Sequence, residues 1–224
     1  MYKFNKYPYL KLNLKDMKFP MNTIIPFKKS FDNLPNDSYI KDHTRRRLYR
    51  NYFIENFNND FIITPSHANT FTQEVPDSRK NLRVFELIPE PMSPFLINFL
   101  KISSNLVNIN HPFKKISVDV HQVRQVCYPD INSHNSAEGI HQDGADYIIS
   151  ACVLNRYNVE GGVSSIYDSD IKLLDTILLK ENDFIFQDDK NLYHYVTPIK
   201  YTESDSILSQ GYRDIIGIDV KIFD

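Results

Sequence analysis

Three residues in this chain could hold a metal ion between them. His141 and Asp143 stand two apart in the run His141-Gln142-Asp143-Gly144. In an extended segment side chains alternate, so these two point to one face. A second imidazole, His194, follows in Leu192-Tyr193-His194-Tyr195-Val196. Two imidazoles and one carboxylate bind one side of a transition-metal ion and leave positions open, which suits non-haem Fe(II) and O2. A His-x-Asp triplet alone is a weak signal because it recurs by chance. Its weight depends on the elements that surround it.

Those elements are strand-like on both sides of the triplet. Ile116, Val118 and Val120 alternate with Ser117, Asp119 and His121, and the run continues to Tyr128. Tyr147–Leu154 is apolar on both faces, as a buried strand should be. Ser164–Tyr167, Asp183–Phe186 and Arg213–Phe223 follow. In the last, Ile216, Ile218, Val220 and Ile222 line one face, and Arg213, Ile215, Gly217 and Asp219 line the other. Short strands with turn signals between them predict a mainly β fold with flanking helices (α+β), its core a jelly-roll-like double sheet.

Upstream, a helix is predicted from Ser93 to about Asn108–Asn110. Ser93 can cap it, Pro94 suits its first turn, and Leu96, Phe99, Leu100 and Leu106 form an apolar face. Residues 60–90 read as short strands. Residues 1–40, with Pro8, Pro20, Pro26 and Pro35, read as an extension of short strands and turns, with a short helix near Asp37–Asp42. The run Arg45-Arg46-Arg47 is read as the solvated cationic face of a strand or helix, in preference to a patch for an anionic partner.

Bulk properties exclude several classes. The 224 residues are enough for one domain with a sizeable core, and residues 115–224 would carry the metal site. Hydrophobic and charged fractions of 42% and 24% are ordinary for a globular chain. A net charge of −2 leaves no electrostatic footprint for nucleic acid. Cys127 and Cys152 lie in apolar segments and read as buried thiols, not a disulfide framework. No apolar run approaches the roughly 18 residues of a membrane span, and Met1–Pro8 carries no signal peptide, so a cytoplasmic protein with no membrane partner is expected. A homodimer is the commonest prior for its assembly.

The order of His141, Asp143, His194 and Arg213 resembles the Fe(II)/2-oxoglutarate-dependent dioxygenases. The likeness is greatest to the bacterial branch that includes free L-isoleucine 4-hydroxylase. It is carried by Glu138-Gly139-Ile140-His141-Gln142-Asp143-Gly144, Asn155-Arg156 with Gly161-Gly162, Ile166-Tyr167-Asp168, Asp188-Asp189, Tyr193-His194, Thr197-Pro198-Ile199 and Gly211-Tyr212-Arg213-Asp214. Arg45-Arg46-Arg47 and Val120–Arg124 also fit that branch. The resemblance implies a double-stranded β-helix (cupin-like) core. It implies Fe(II) on His141, Asp143 and His194, with 2-oxoglutarate and O2 as cosubstrates. The product side would be succinate, CO2 and a hydroxylated C–H of a free aliphatic or cyclic amino acid; desaturation or sulfoxidation on the same scaffold is an alternative. Arg213 would grip the distal carboxylate of 2-oxoglutarate, since a guanidinium fork matches a carboxylate and keeps its charge. With iron, Asp143 and the dianionic cosubstrate, Arg213 also brings the local charge to neutrality.

Other readings stand beside this one. Arg213 could pair with Asp214, and Lys200 is an alternative cation, though it lies close to His194 and before a polar loop. A free amino acid needs a cation and an anion in its pocket. Arg124 is the candidate for the substrate carboxylate, and Glu138 or Asp146 for the ammonium; a structural ion pair for Arg124 is equally open. His121 reads as a satisfied core residue, and His43, His67 and His111 as solvated ones; His134 has no required role. Gly161-Gly162 suits a turn with positive φ. Residues 130–140 and 200–211 are polar enough to form a lid. Two rivals use the same residues otherwise: a Zn(II) hydrolase on the His/Asp/His set, and a non-catalytic β-barrel that binds a small molecule.

Overall fold

A computed structural model describes residues 2–73, 81–202 and 209–223. The chain begins with strand β1 (Tyr9–Asn13), then helix α1 (Ile24–Lys28) with single 3-10 turns on either side. Strands β2 (Arg45–Phe57), β3 (Asp60–Pro65), β4 (Thr70–Gln73) and β5 (Asn81–Val84) precede helix α2 (Pro94–Asn110). The remainder is β6 (Lys115–Cys127), β7 (Tyr147–Tyr157), β8 (Val159–Gly161), β9 (Val163–Tyr167), β10 (Leu173–Leu178), β11 (Asp183–Asp188), β12 (Tyr193–Val196), β13 (Ile199–Tyr201) and β14 (Gly211–Phe223).

Seven strands form one antiparallel sheet in the order β1-β11-β7-β14-β6-β2-β3. A smaller sheet, β10-β9-β12, and the pair β13-β8 supply the opposing layer of the double-stranded β-helix. The expected fold class holds. α2 starts where the sequence places it: the Ser93 side chain accepts from the Leu96 N–H at 3.2 Å, and Pro94 occupies the first turn. Its apolar stripe, Leu96, Phe99 and Leu100, packs behind the large sheet with Phe184, Ile216, Ile218 and Val220. Ile215 leaves that cluster and joins Val123, Val153, Ile166 and Leu192 between the layers. The alternation read in β14 therefore sorts its side chains as predicted, one set toward the helix and the other toward the site.

Two local expectations change. The short helix lies at Ile24–Lys28, not near Asp37–Asp42. Pro26 is tolerated there because first-turn N–H groups have no helical partner. Asp37 is instead buried in a turn, accepting the Tyr39 N–H at 3.0 Å and the Arg45 Nε–H at 2.7 Å. The arginine run is a strand, but its cationic face is not solvated: Arg45 is buried and Arg47 half-buried. Cys127 and Cys152 are buried free thiols. Among the described residues no helix is long and apolar enough to cross a membrane.

Candidate active site

The two imidazoles are brought together by backbone pairing. His194 lies on β12, and His141 lies in the segment joining β6 to β7. They form an antiparallel bridge: the His141 N–H donates to the His194 carbonyl at 3.0 Å and the His194 N–H to the His141 carbonyl at 2.9 Å. The ring centroids are 4.3 Å apart. Asp143 completes the group, its Oδ1 3.6 Å from His141 Nε2 and its Oδ2 3.5 Å from His194 Nε2. One ligand atom from each residue falls within 4.8 Å of the others. His141 Nδ1 lies 2.8 Å from the Gly139 carbonyl, which fixes that nitrogen as the donor and leaves Nε2 for a metal.

Electrostatics favour ligation. Burial opposes charge on Asp143, but His194 and His141 outweigh it and hold the carboxyl down to about 2. Burial lowers His194, against the opposing charge of Asp143. Burial also disfavours charge on His141, yet the hydrogen bond and charge of Asp143 push it up to about 9. A cation is thus wanted beside Asp143, and in the bare protein a proton on His141 serves.

Asp189 stands behind the triad. It is buried, accepts the Gly144 N–H at 2.8 Å and the Ala145 N–H at 3.1 Å, and places Oδ1 4.0 Å from His194 Nδ1. It thus holds the turn after Asp143 and faces the back of His194. Burial, then the charge of Asp143, raises its carboxyl to about 6.

Arg213 is fully buried on the inner face of β14. Its Nη1 reaches Gln125 Oε1 only at 3.5 Å, and its Nε and Nη2 have no hydrogen-bond partner among the described residues. It does not pair with Asp214, whose carboxylate is taken by Arg124. Arg156, opposite Arg213 on β7, converges on the same space. A Cβ built on Gly162 would stand 3.2 Å from Nη1 of each guanidinium, and Arg156 Nη1 likewise has no hydrogen-bond partner among the described residues. Glycine suits its φ of +66°, and any side chain there would press on both guanidiniums. Burial, then Arg156, lowers Arg213 to about 9. One fully buried and one half-buried cation converging on Gly162, with no carboxylate partner among the described residues, fit an anionic cosubstrate group. Lys200 is exposed on β13 and pairs in register with Glu160.

A cavity of about 340 Å³ opens in front of the triad. Val123, Ile149, Ile215 and Gly217 line its sheet side, Arg45, Arg47 and Arg83 a cationic wall, and Glu138 and Asp219 contribute carboxylates. His121 also faces it, buried, with Nε2 3.3 Å from Asp219 and its ring against Phe71. His134, Asn135, Ala137 and Glu138 border the opening. This loop is stapled on either side of His134 and Asn135. Ser133 exchanges backbone hydrogen bonds with Ile199, and Ser136 Oγ accepts the Val196 N–H at 3.1 Å. Of the other lid candidate, residues 203–208 lie outside the described residues.

Of the residues expected at the substrate, only Glu138 lines this cavity, with Oε1 3.2 Å from His141 Nε2. Arg124 points to the opposite face of the sheet. There it grips Asp214 at 2.6 and 2.9 Å, reaches Asp32 at 3.0 Å and covers the Tyr212 ring. Asp146 accepts the Ile222 N–H at 2.6 Å and pairs with Lys190 away from the cavity. Arg47, Arg83, Arg156, Asp189 and Asp219 were not singled out for a site role by sequence. Alternation does place Asp219 on the inner face, but Arg156 depends on a pairing of β14 with β7 that is broken by bulges.

This fold and site define an iron-dependent oxygenase. The family model for 2OG-Fe dioxygenases matches residues 28–219, and the chain belongs to that family. It is thus an enzyme of a class that uses Fe(II), 2-oxoglutarate and O2. No curated protein matches the chain. Among solved structures, a BsmA homologue from Methylobium petroleophilum PM1 superposes with a TM-score of 0.82 at 16% identity, covering 97% of this chain and 89% of that one. IDO from Bacillus thuringiensis gives 0.77 at 18% identity, covering 97% and 91%. The Fe(II)/(alpha)ketoglutarate-dependent dioxygenase TqaL gives 0.68 at 14%, covering 96% and 83%. At these identities the likeness shows a shared fold.

Proposed function

We propose that the chain hydroxylates an unactivated C–H of a small free amino acid, aliphatic or cyclic, in the manner of the L-isoleucine 4-hydroxylase-like branch. His141, Asp143 and His194 hold Fe(II), and Arg213, backed by Arg156, holds the distal carboxylate of 2-oxoglutarate. When bound, the iron and 2-oxoglutarate supply O2 activation coupled to decarboxylation to succinate and CO2. The observation that carries the reading is the occurrence of the triad together with a fully buried Arg213 that has no carboxylate partner among the described residues. A Zn(II) hydrolase has no use for that cation, and a passive barrel has no use for the triad.

The protein's part is positional. The backbone bridge between His141 and His194 fixes two ligands before metal arrives. Gly217 keeps the floor of the cavity low beneath the substrate. The buried sheet face excludes water, so a substrate carbon is held against the open side of the site. Glu138, beside His141 and half exposed, meets the substrate ammonium.

The test is succinate release from 2-oxoglutarate. It should require added Fe(II), and a screen of standard and cyclic amino acids should yield one product heavier by one oxygen atom. Full succinate formation by His141→Ala would exclude this iron site.

A further inference from the structure

The cationic wall of the cavity is not explained by iron or by 2-oxoglutarate. Alternation along β2 sends Arg45 and Arg47 to the same inner face as Arg213. The register separates them into rows. Arg45 lies opposite Gln125, which lies opposite Arg213; Arg47 lies opposite Val123, which lies opposite Ile215. Arg47 therefore occupies an apolar row of its own, one step nearer the residues that floor the cavity. Arg83 reaches the same cavity from β5.

Arg45 and Arg47 share their nearest counter-ion. Asp37 is buried beside the wall, and its Oδ2 takes Arg45 Nε at 2.7 Å. The same oxygen is 3.7 Å from Arg47 Nε, an ion pair beyond hydrogen-bond reach, and that Nε has no hydrogen-bond partner among the described residues. The Arg47 side chain is only 12% exposed, and its guanidinium lies over the Phe85 ring, 5.1 Å from the centroid. Burial, then the neighbouring Arg45, lowers Arg47 to about 9. A largely buried guanidinium at the cavity wall, whose one ion pair among the described residues is this long contact with a shared Asp37, leaves room for an anion that a ligand can bring.

We propose that Arg47, assisted by Arg83, is the receptor for a carboxylate of the substrate, distinct from the Arg213 site, and that it restricts the enzyme to small molecules carrying that group. This rests on the reading of the triad as an Fe(II)/2-oxoglutarate centre. A carboxylate seated there leaves the apolar body of the ligand against Val123, Ile149 and Ile215, in front of His141 and His194. Arg124, the residue that sequence suggested for this role, is committed to Asp214 on the other face of the sheet.

The experiment uses the full chain loaded with Zn(II) and 2-oxoglutarate, which binds but does not turn over. The standard L-amino acids, their carboxamides and inorganic phosphate are titrated in by calorimetry. At least one amino acid should bind at least about tenfold more tightly than its own carboxamide, a difference of about 1.4 kcal/mol. Arg47→Gln should shrink that ratio to within about twofold, and Arg47→Lys should restore part of it, with circular dichroism confirming that both fold. Equal binding of acid and amide by the wild type, binding of phosphate alone, binding of no amino acid, or an unchanged ratio in Arg47→Gln would each overturn the proposal. Succinate formation by the wild-type Fe(II) protein is read separately. Succinate without an acid preference removes the Arg47 assignment alone. An acid preference without succinate removes the iron and cosubstrate reading and leaves the carboxylate receptor standing.

Discussion

His141 and His194 donate backbone hydrogen bonds to each other across an isolated antiparallel bridge, at 3.0 and 2.9 Å, and their rings stand 4.3 Å apart. Two candidate ligands far apart in sequence are thus registered by the main chain, not by flexible side chains. The strain of assembling a metal site is met when the sheet forms, so the site is largely built before any ion binds.

That geometry sets a pH dependence. In the bare protein His141 is pushed up from 6.5 to about 9, against burial, by Asp143, while His194 is lowered and Asp143 is held at about 2. A metal must then displace one proton, from His141. Apparent Mn(II) or Co(II) affinity should rise about tenfold per pH unit below about 9 and level off above it. For the metal-free fold the sign is opposite. A pKa raised on folding stabilises fully below about 6.5, and that stabilisation is lost as pH rises through about 9. Calorimetry in buffers of different ionisation enthalpy should count about one proton released per metal at neutral pH.

Asp189 should matter to a metal it does not touch. It fixes the Gly144 and Ala145 N–H groups and backs His194 Nδ1. Asp189→Ala is expected to weaken Mn(II) binding by about 10- to 100-fold, as for other outer-shell carboxylates, measured by equilibrium titration.

Arg213 presents a trade between stability and function. It is fully buried, two of its nitrogens have no hydrogen-bond partner among the described residues, and a second cation, Arg156, stands beside it. Arg213→Met should leave the melting temperature of the bare protein unchanged or higher, because a buried uncompensated charge is removed. The same change should raise the dissociation constant for 2-oxoglutarate by at least about 30-fold, the lower bound for losing one partner of a buried ion pair. A lower melting temperature with unaltered 2-oxoglutarate binding would make Arg213 a structural residue.

Arg124 should behave in the reverse way. Its two-pronged contact with buried Asp214 holds β6 to β14 on the face away from the cavity. Arg124→Ala is expected to destabilise the protein by about 3–5 kcal/mol in chemical denaturation, the cost of stranding a buried partner. Amino-acid binding by the folded fraction should change little.

The legible parts of the molecule were those set by local periodicity. β14 could be sorted face by face because Ile216, Ile218 and Val220 alternate with Arg213, Ile215, Gly217 and Asp219, and its core contacts follow that order. α2 announced itself through Ser93 and Pro94. His141, Asp143 and His194 were found because ligand chemistry restricts residue type, and the structure places them within reach of one ion. The illegible parts depend on register between distant strands. Arg45-Arg46-Arg47 reads as a charged, solvated run; only pairing with β6 sends Arg47 into the cavity and Arg46 to the face that carries Arg124. Arg124 and Asp214 face each other across one rung of the ladder, a pairing no local pattern encodes. Arg156 meets Arg213 only after two bulges shift β7 against β14.

The central claim is that His141, Asp143 and His194 hold Fe(II) so that 2-oxoglutarate, anchored at Arg213, reaches the same ion. Visible absorption under anaerobic conditions tests it most directly, because Fe(II) gives a charge-transfer band with a chelating 2-oxo acid. Adding Fe(II) and then 2-oxoglutarate to the wild-type protein should produce that band, and Asp143→Ala and His194→Ala should lack it. A wild-type protein that binds Fe(II) but shows no band with saturating 2-oxoglutarate, or an Asp143→Ala protein that keeps the band in full, would contradict the account.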